Sequence, residues 1–313
     1  MEDVHVLQVA YVPHFLEDQM KRHFQVHRAS EDAAPGSLGE FAAKVRILVA
    51  NGESTIRASL LEQLPALELI VVFGVGYDGV DVAAARARGI AVTHTPDVLT
   101  DDVADMAFAL LLAQARRVVE ADAFVRARRW QEGPFPWSFK VSGQKLGVVG
   151  MGRIGRAVAA RAAAFSMDVS YTARRQAEDV SWRYQPSLVA LAQEVDFLVV
   201  CTYGGASTRG LISAEVLDAL GPDGRLINIA RGSVVDENAL IAALQQGRLG
   251  GAALDVYAHE PNVPEALCAL PNVVLTPHSA SATTQTRKSM SDLVFANMQA
   301  HLEGRPLPTP IPG

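Results

Sequence analysis

The sequence predicts an α/β protein built from two Rossmann-like, doubly wound parallel-sheet domains, and three observations carry that prediction. Short, nearly unbroken apolar runs alternate with polar stretches of helical composition, the pattern of strands buried on both faces and joined by crossovers. This alternation occurs twice, on either side of a long helical stretch that starts near residue 99. The second series opens on the strand KLGVV, a glycine loop and the helical run RAVAARAAAF, the unit that opens a nucleotide-binding sheet.

In the first series VHVLQVAYV, VRILVAN, LELIVVFGVG and IAVTHT read as strands, and EDQMKRHFQ, TIRASLLEQL and DVAAARARG as the helices between them. The stretch TPDVLTDDVADMAFALLLAQARRVVEADAFVRARRW then reads as one long helix continuing past Arg117. Thr100 is a candidate N-cap, and Asp101 and Asp102 lie in the first turn. The loop QEGPFPWSF breaks it. In the second series DFLVVCT, GRLINIA, GAALDVY and NVVLTPHS are strands, AEVLDALG and ENALIAALQQG are helices, and a last helix runs from about Thr283 to Leu302.

Composition narrows the function. The 313 residues suffice for two compact domains, and 49% apolar with 20% charged is an ordinary globular balance. A net charge of −6 and sparse aromatics argue against nucleic acid as a partner. Two distant cysteines, Cys201 and Cys268, make neither a disulfide framework nor a metal spacing and read as small apolar residues. With no signal-like start and no apolar run of the roughly 20 residues that span a bilayer, the expectation is a soluble, cytoplasmic protein with no membrane partner and no metal.

Gly150, Gly152 and Gly155 form G-x-G-x-x-G between strand and helix, with a second strand following. The first glycine permits a tight turn, the second lets backbone approach a pyrophosphate, and the third lets helix pack on strand. The loop residues Gly150, Met151, Gly152, Arg153, Ile154 and Gly155 are therefore the candidate cofactor cradle. A unit selective for NAD places an acid after its second strand, where it meets the ribose hydroxyls. This chain has Ala173, Arg174 and Arg175 there and no acid before Glu178. Two arginines can pair a 2′-phosphate through charge-assisted forks, so NADPH (NADP+) is the preferred cofactor, with NADH as the alternative. Two solvated surface arginines would read the same way.

Three ionisable residues follow predicted strands of the second series: Arg231 in INIARGSVV, Glu260 in LDVYAHEP and His278 in LTPHSAS. Ligands bind open parallel sheets at that edge. Reduction of a 2-keto acid needs a cation for carboxylate and carbonyl oxygen, and a proton donor for the developing alkoxide. Arginine and a charged histidine supply these, and a glutamate beside the histidine favours its charged form.

With these motifs in order, together with TPDVLTDDVADMAFALLLA, the chain resembles the D-isomer-specific 2-hydroxyacid dehydrogenase family nearly end to end, nearest the NADPH-using glyoxylate/hydroxypyruvate reductases. The resemblance implies an active site in the cleft between the two domains. It implies a substrate domain 1–98 completed by a returning helix 283–313, and a dinucleotide domain 99–282. It gives Arg231 the substrate carboxylate and carbonyl, His278 the proton transfer, and Glu260 the partnering of His278. It gives Asp255 the nicotinamide carboxamide, places Ala230, Thr202 and Thr100 beside the cofactor, and has the backbone of Val75 and Gly76 bind substrate carboxylate. Where the family usually has Cys-Pro, Thr202 follows Cys201. A homodimer through the cofactor domains is also implied, with Trp137 either reaching the partner's site or packing at the interface. A 2-ketogluconate or aryl-pyruvate reductase would share these motifs, and the C-terminal-binding-protein co-repressors, which bind dinucleotide and recognise peptides, share the fold.

Overall fold

The computed structural model describes residues 3–34 and 36–312. The chain forms two compact units. One runs to Leu99 and takes in the chain from Ser281 onward, and the other is Thr100–Ala280. Among the described residues, no helix is long and apolar enough to cross a membrane.

The first unit contains β1 (His5–Gln8), α1 (His14–His23), β2 (Gln25–Arg28), β3 (Val45–Asn51), α2 (Ala58–Glu62), β4 (Leu69–Phe73), α3 (Val82–Ala87) and β5 (Ala91–Thr93). Its sheet is wholly parallel with the order β2-β1-β3-β4-β5, which switches direction between β1 and β3. All five residues of β4 are buried, as an apolar run covered on both faces should be. Leu7, Leu48, Ile70 and Val72 join Leu60, Leu61 and Leu64 in one core cluster.

The second unit starts on α4 (Thr100–Ala115) and α5 (Val118–Arg126), followed by β6 (Lys145–Val149), α6 (Arg153–Ala164), β7 (Asp168–Thr172), β8 (Arg183–Tyr184), α7 (Leu188–Glu194) and β9 (Phe197–Val200). Then come α8 (Ala214–Leu220), β10 (Arg225–Asn228), α9 (Glu237–Gln245), β11 (Gly251–Leu254), α10 (Glu265–Cys268) and β12 (Val273–Leu275). Its seven parallel strands lie in the order β12-β11-β10-β9-β6-β7-β8. Read from β6, this is the nucleotide-binding winding, which reverses between β6 and β9. Because every strand is parallel, the loops after β6, β7, β9, β10, β11 and β12 emerge on one edge. The final helix, α11 (Thr284–Leu302), belongs to the first unit, where Phe295 packs on Phe24 at 5.8 Å between ring centroids and His301 bonds Glu68 at 2.9 Å.

Four features depart from the expectations. The long helix is two helices. Phe139 N–H takes the Ala115 carbonyl at 2.9 Å, and Arg117 turns left-handed (φ 52°), so α4 cannot continue into α5. Thr100 is the first helical residue instead of the cap before it. The cysteines are not alike either: burial pushes the Cys201 thiol up to about 12, whereas Cys268 is exposed. The edge strands β2 and β8 were not expected, since QVHR and RY carry no apolar run.

Candidate active site

On the β6 side of the second unit's strand-end edge, Gly150 adopts a left-handed φ of 98°, which suits glycine, and the chain then turns into α6. A Cβ at Gly150 would lie 2.9 Å from the Thr202 backbone nitrogen, so the loops after β6 and β9 touch. A Cβ at Gly155 would lie 2.0 Å from the Gly150 carbonyl oxygen, which is how closely helix approaches strand. A Cβ at Gly152, by contrast, would meet no heavy atom within 4 Å. The loop is therefore packed from beneath and open above, at a helix N-terminus whose first N–H groups face outward for an anion. Among the other loop residues Met151 is buried, Ile154 half-buried and Arg153 exposed. This cradle fits a dinucleotide pyrophosphate.

The loop after β7 carries Arg174 and Arg175, both exposed. Its backbone is pinned at two points by tyrosines: the Tyr184 hydroxyl donates to the Ala173 carbonyl at 3.1 Å, and Ala177 N–H donates to the Tyr171 hydroxyl at 2.9 Å. Asp179, two residues on, takes a two-bond fork from Arg156 on α6 at 2.7 and 2.9 Å. Neither tyrosine was read from sequence as part of this site, because each looks like an ordinary strand aromatic.

The other half of the edge gathers charge. Asn228, almost fully buried, staples the turn after β10: its side-chain oxygen accepts from Ala230 N–H at 3.1 Å, and its amide donates to the Arg231 carbonyl at 3.0 Å. Arg231 is extended and half-buried, with Nη1 donating to the Ala230 carbonyl at 2.9 Å. The next residue, Gly232, lies so close to Tyr257 that a Cβ would fall 1.9 Å from its carbonyl carbon, so glycine alone lets this turn reach the loop after β11. In that loop Tyr257 N–H donates to Glu260 Oε1 at 2.9 Å, and Glu260 Oε2 meets His278 Nδ1 at 2.7 Å.

Burial pulls the Glu260 carboxyl up. The hydrogen bond and charge of His278, the Tyr257 N–H and the Arg231 charge outweigh it and hold the carboxyl below its usual range. His278 sits at φ 49°, a conformation uncommon for a side-chain-bearing residue, and its N–H is held by the Asp255 carbonyl at 2.9 Å and the Thr276 carbonyl at 3.1 Å. The fully buried Asp255 carboxylate accepts from Thr276 Oγ1 at 2.6 Å and from the N–H groups of Ser279 and Ala280, each at 2.9 Å. Asp255 thus fixes the loop that carries the imidazole. Thr276, Tyr257 and Asn228 are supports that the sequence did not single out, since each looks like an ordinary residue at a strand end.

In the first unit, the loop after β4 is ordered by His94, whose Nδ1 meets the Val75 carbonyl at 2.9 Å; Val75 and Gly76 are half-buried. His14 is exposed, Phe15 half-buried, and their rings stack edge-on at 5.1 Å.

A glycine cradle and an arginine–glutamate–histidine cluster on one parallel-sheet edge match what a dinucleotide-dependent oxidoreductase requires. Residues 108–280 match the model of the D-isomer-specific 2-hydroxyacid dehydrogenase NAD-binding domain. The chain is 45% identical to glyoxylate/hydroxypyruvate reductase A of Arabidopsis thaliana, covering 99% of this chain and 100% of that one. It is 46% identical to hydroxyphenylpyruvate reductase of Plectranthus scutellarioides over the same shares. Its fold matches, with a TM-score of 0.94, the NADPH-dependent glyoxylate/hydroxypyruvate reductase of Sinorhizobium meliloti solved with NADP and malonate, at 43% identity over 99% of this chain and 97% of that one. This chain belongs to the D-isomer-specific 2-hydroxyacid dehydrogenase family and is an NAD(P)-dependent oxidoreductase.

Proposed function

We propose that the protein reduces a small 2-keto acid, glyoxylate or hydroxypyruvate, to the D-2-hydroxy acid with NADPH. The observation that carries the proposal is the 2.7 Å bond between His278 and Glu260, made within the electrostatic reach of Arg231. When bound, NADPH supplies the hydride.

The chain's own residues do the rest. Arg231 binds the substrate carboxylate and draws charge onto the carbonyl oxygen. Glu260 engages Nδ1, so the proton delivered to the developing alkoxide is the one on His278 Nε2. The negative charge of Glu260 keeps a proton on the ring and stabilises its charged form. The glycine loop Gly150–Gly155 holds the pyrophosphate, Arg174 and Arg175 take the 2′-phosphate, Thr100, Thr202 and Ala230 border the cofactor, and buried Asp255 acts through the loop it fixes. In the first unit the candidate carboxylate donors are the N–H groups of Val75 and Gly76.

The test is NADPH and NADH oxidation at 340 nm with glyoxylate, hydroxypyruvate, 4-hydroxyphenylpyruvate and 2-ketogluconate. The highest kcat/KM should fall on one of the first two with NADPH. A higher value on either of the last two reassigns the substrate, and no turnover with any of the four points to a binding protein.

A second copy of this chain is the partner that fits the exposed apolar side chains Val118, Val119, Val125, Trp130 and Trp137, which lie on α5 and the segment after it. Sedimentation equilibrium should give twice the chain mass, and a single-chain mass would refute the dimer.

A further inference from the structure

Tyr203, on the loop after β9, is about half exposed, and no acidic residue lies near it in sequence. The Arg174 guanidinium carbon lies 5.2 Å from the centroid of its ring, within cation–π range. Among the described residues no carboxylate pairs with Arg174. An aromatic face engages the flat of a guanidinium and leaves the N–H groups around its rim free to donate, whereas a carboxylate would occupy that rim.

The placement gives this contact a purpose. Strands β7 and β9 flank β6, so the Arg174 loop and the Tyr203 loop stand on either side of the glycine cradle. Both backbones are held. The Tyr184 and Tyr171 hydroxyls pin Ala173 and Ala177, and Thr208 Oγ1 donates to the Tyr203 carbonyl at 2.9 Å. The ring and the guanidinium thus meet from two fixed supports, where the residues that stand at this position decide how the adenosine end of a dinucleotide is read.

We propose that Tyr203 is a positioning residue for cofactor selectivity: its ring holds the Arg174 guanidinium ready for a 2′-phosphate. The proposal rests on the reading that Arg174 and Arg175 bind that phosphate. A free arginine must give up side-chain entropy to grip an anion, and one held over a ring has already lost part of it.

The experiment is calorimetric binding of two fragments that differ by one phosphate, 2′,5′-ADP and 5′-AMP, to the full-length protein. Tyr203→Ala should weaken 2′,5′-ADP about two- to five-fold, the size of an exposed cation–π contact, and leave 5′-AMP unchanged. Tyr203→Phe should retain wild-type binding. In an Arg174→Ala background, Tyr203→Ala should have no further effect. Should Tyr203→Ala lower the thermal midpoint, Tyr203→Leu gives the same comparison with the loop filled. Equal weakening of both fragments would make the ring an adenine platform and overturn the proposal, as would unchanged 2′,5′-ADP binding in both Tyr203→Ala and Tyr203→Leu. Arg174→Ala separates the two levels. If it weakens 2′,5′-ADP selectively while Tyr203→Ala does not, only the positioning role fails. If it spares 2′,5′-ADP, Arg174 is not a phosphate ligand and the positioning role fails with it.

Discussion

The two halves of the second unit's strand-end edge present their charged side chains in different ways. On the β6–β7–β9 half the backbone does the work: a left-handed glycine, a helix start and loops pinned by tyrosine hydroxyls leave the cationic side chains at the surface. On the β10–β11–β12 half, side chains are drawn inward and paired, with Glu260 bonded to His278 and the Asp255 carboxylate holding three donors. The difference suits the roles proposed for them. Binding a phosphate needs charge that water can still reach before the ligand arrives. Moving a proton needs an imidazole whose orientation and protonation are set by a partly buried carboxylate.

If the halves are separable in this way, His278→Gln should lower kcat by about 10²- to 10⁴-fold, the range for loss of a general acid, while the NADPH Kd stays at its wild-type value. Stopped-flow turnover and fluorescence titration would read the two quantities, and a matching loss of cofactor affinity would break the distinction.

Gly155→Ala attacks the other half. Its Cβ would fall 2.0 Å from the Gly150 carbonyl oxygen. Overpacking of this kind costs about 1–3 kcal/mol, and it should appear as a lower midpoint in urea. NADPH and NADH should weaken together, because the pyrophosphate they share is what the loop is proposed to hold. Selective loss of NADPH would contradict that.

The smallest effect sharpens the charged half through pH. The Glu260 carboxyl is held below its usual range in the folded protein. Its pairing therefore contributes stability above the normal carboxylate pKa, and that contribution is lost as pH falls through the lowered folded value. The stability gap between wild type and Glu260→Gln should be widest near neutrality and narrow below about pH 4, where an ordinary glutamate is mostly protonated. Urea titrations across that range would show it, and a gap independent of pH would remove the carboxylate's charge from the account.

Much of the scaffold is legible in the sequence because its signals are local. The apolar runs of β3, β4, β6, β9 and β10 announce buried parallel strands, and G-x-G-x-x-G between strand and helix announces the cradle. Arg231, Glu260 and His278 stand out as ionisable residues after strands. The edge strands β2 and β8 escape notice because a short strand paired on one side needs no apolar face. Periodicity likewise carries α4 through Arg117, since the Phe139 N–H that ends it comes from a loop further along the chain.

Chain order, strand identity and the absence of an acid between β7 and Glu178 were decided by the amino-acid sequence, since backbone propensity and apolar patterning act between near neighbours. Tertiary structure alone decided that Glu260 meets His278 on one side of the edge and that Tyr203 lies beneath Arg174 on the other. Those contacts join loops from different strands. Their distances depend on strand order and on how closely Gly155 and Gly232 let the backbone approach, which no local pattern encodes.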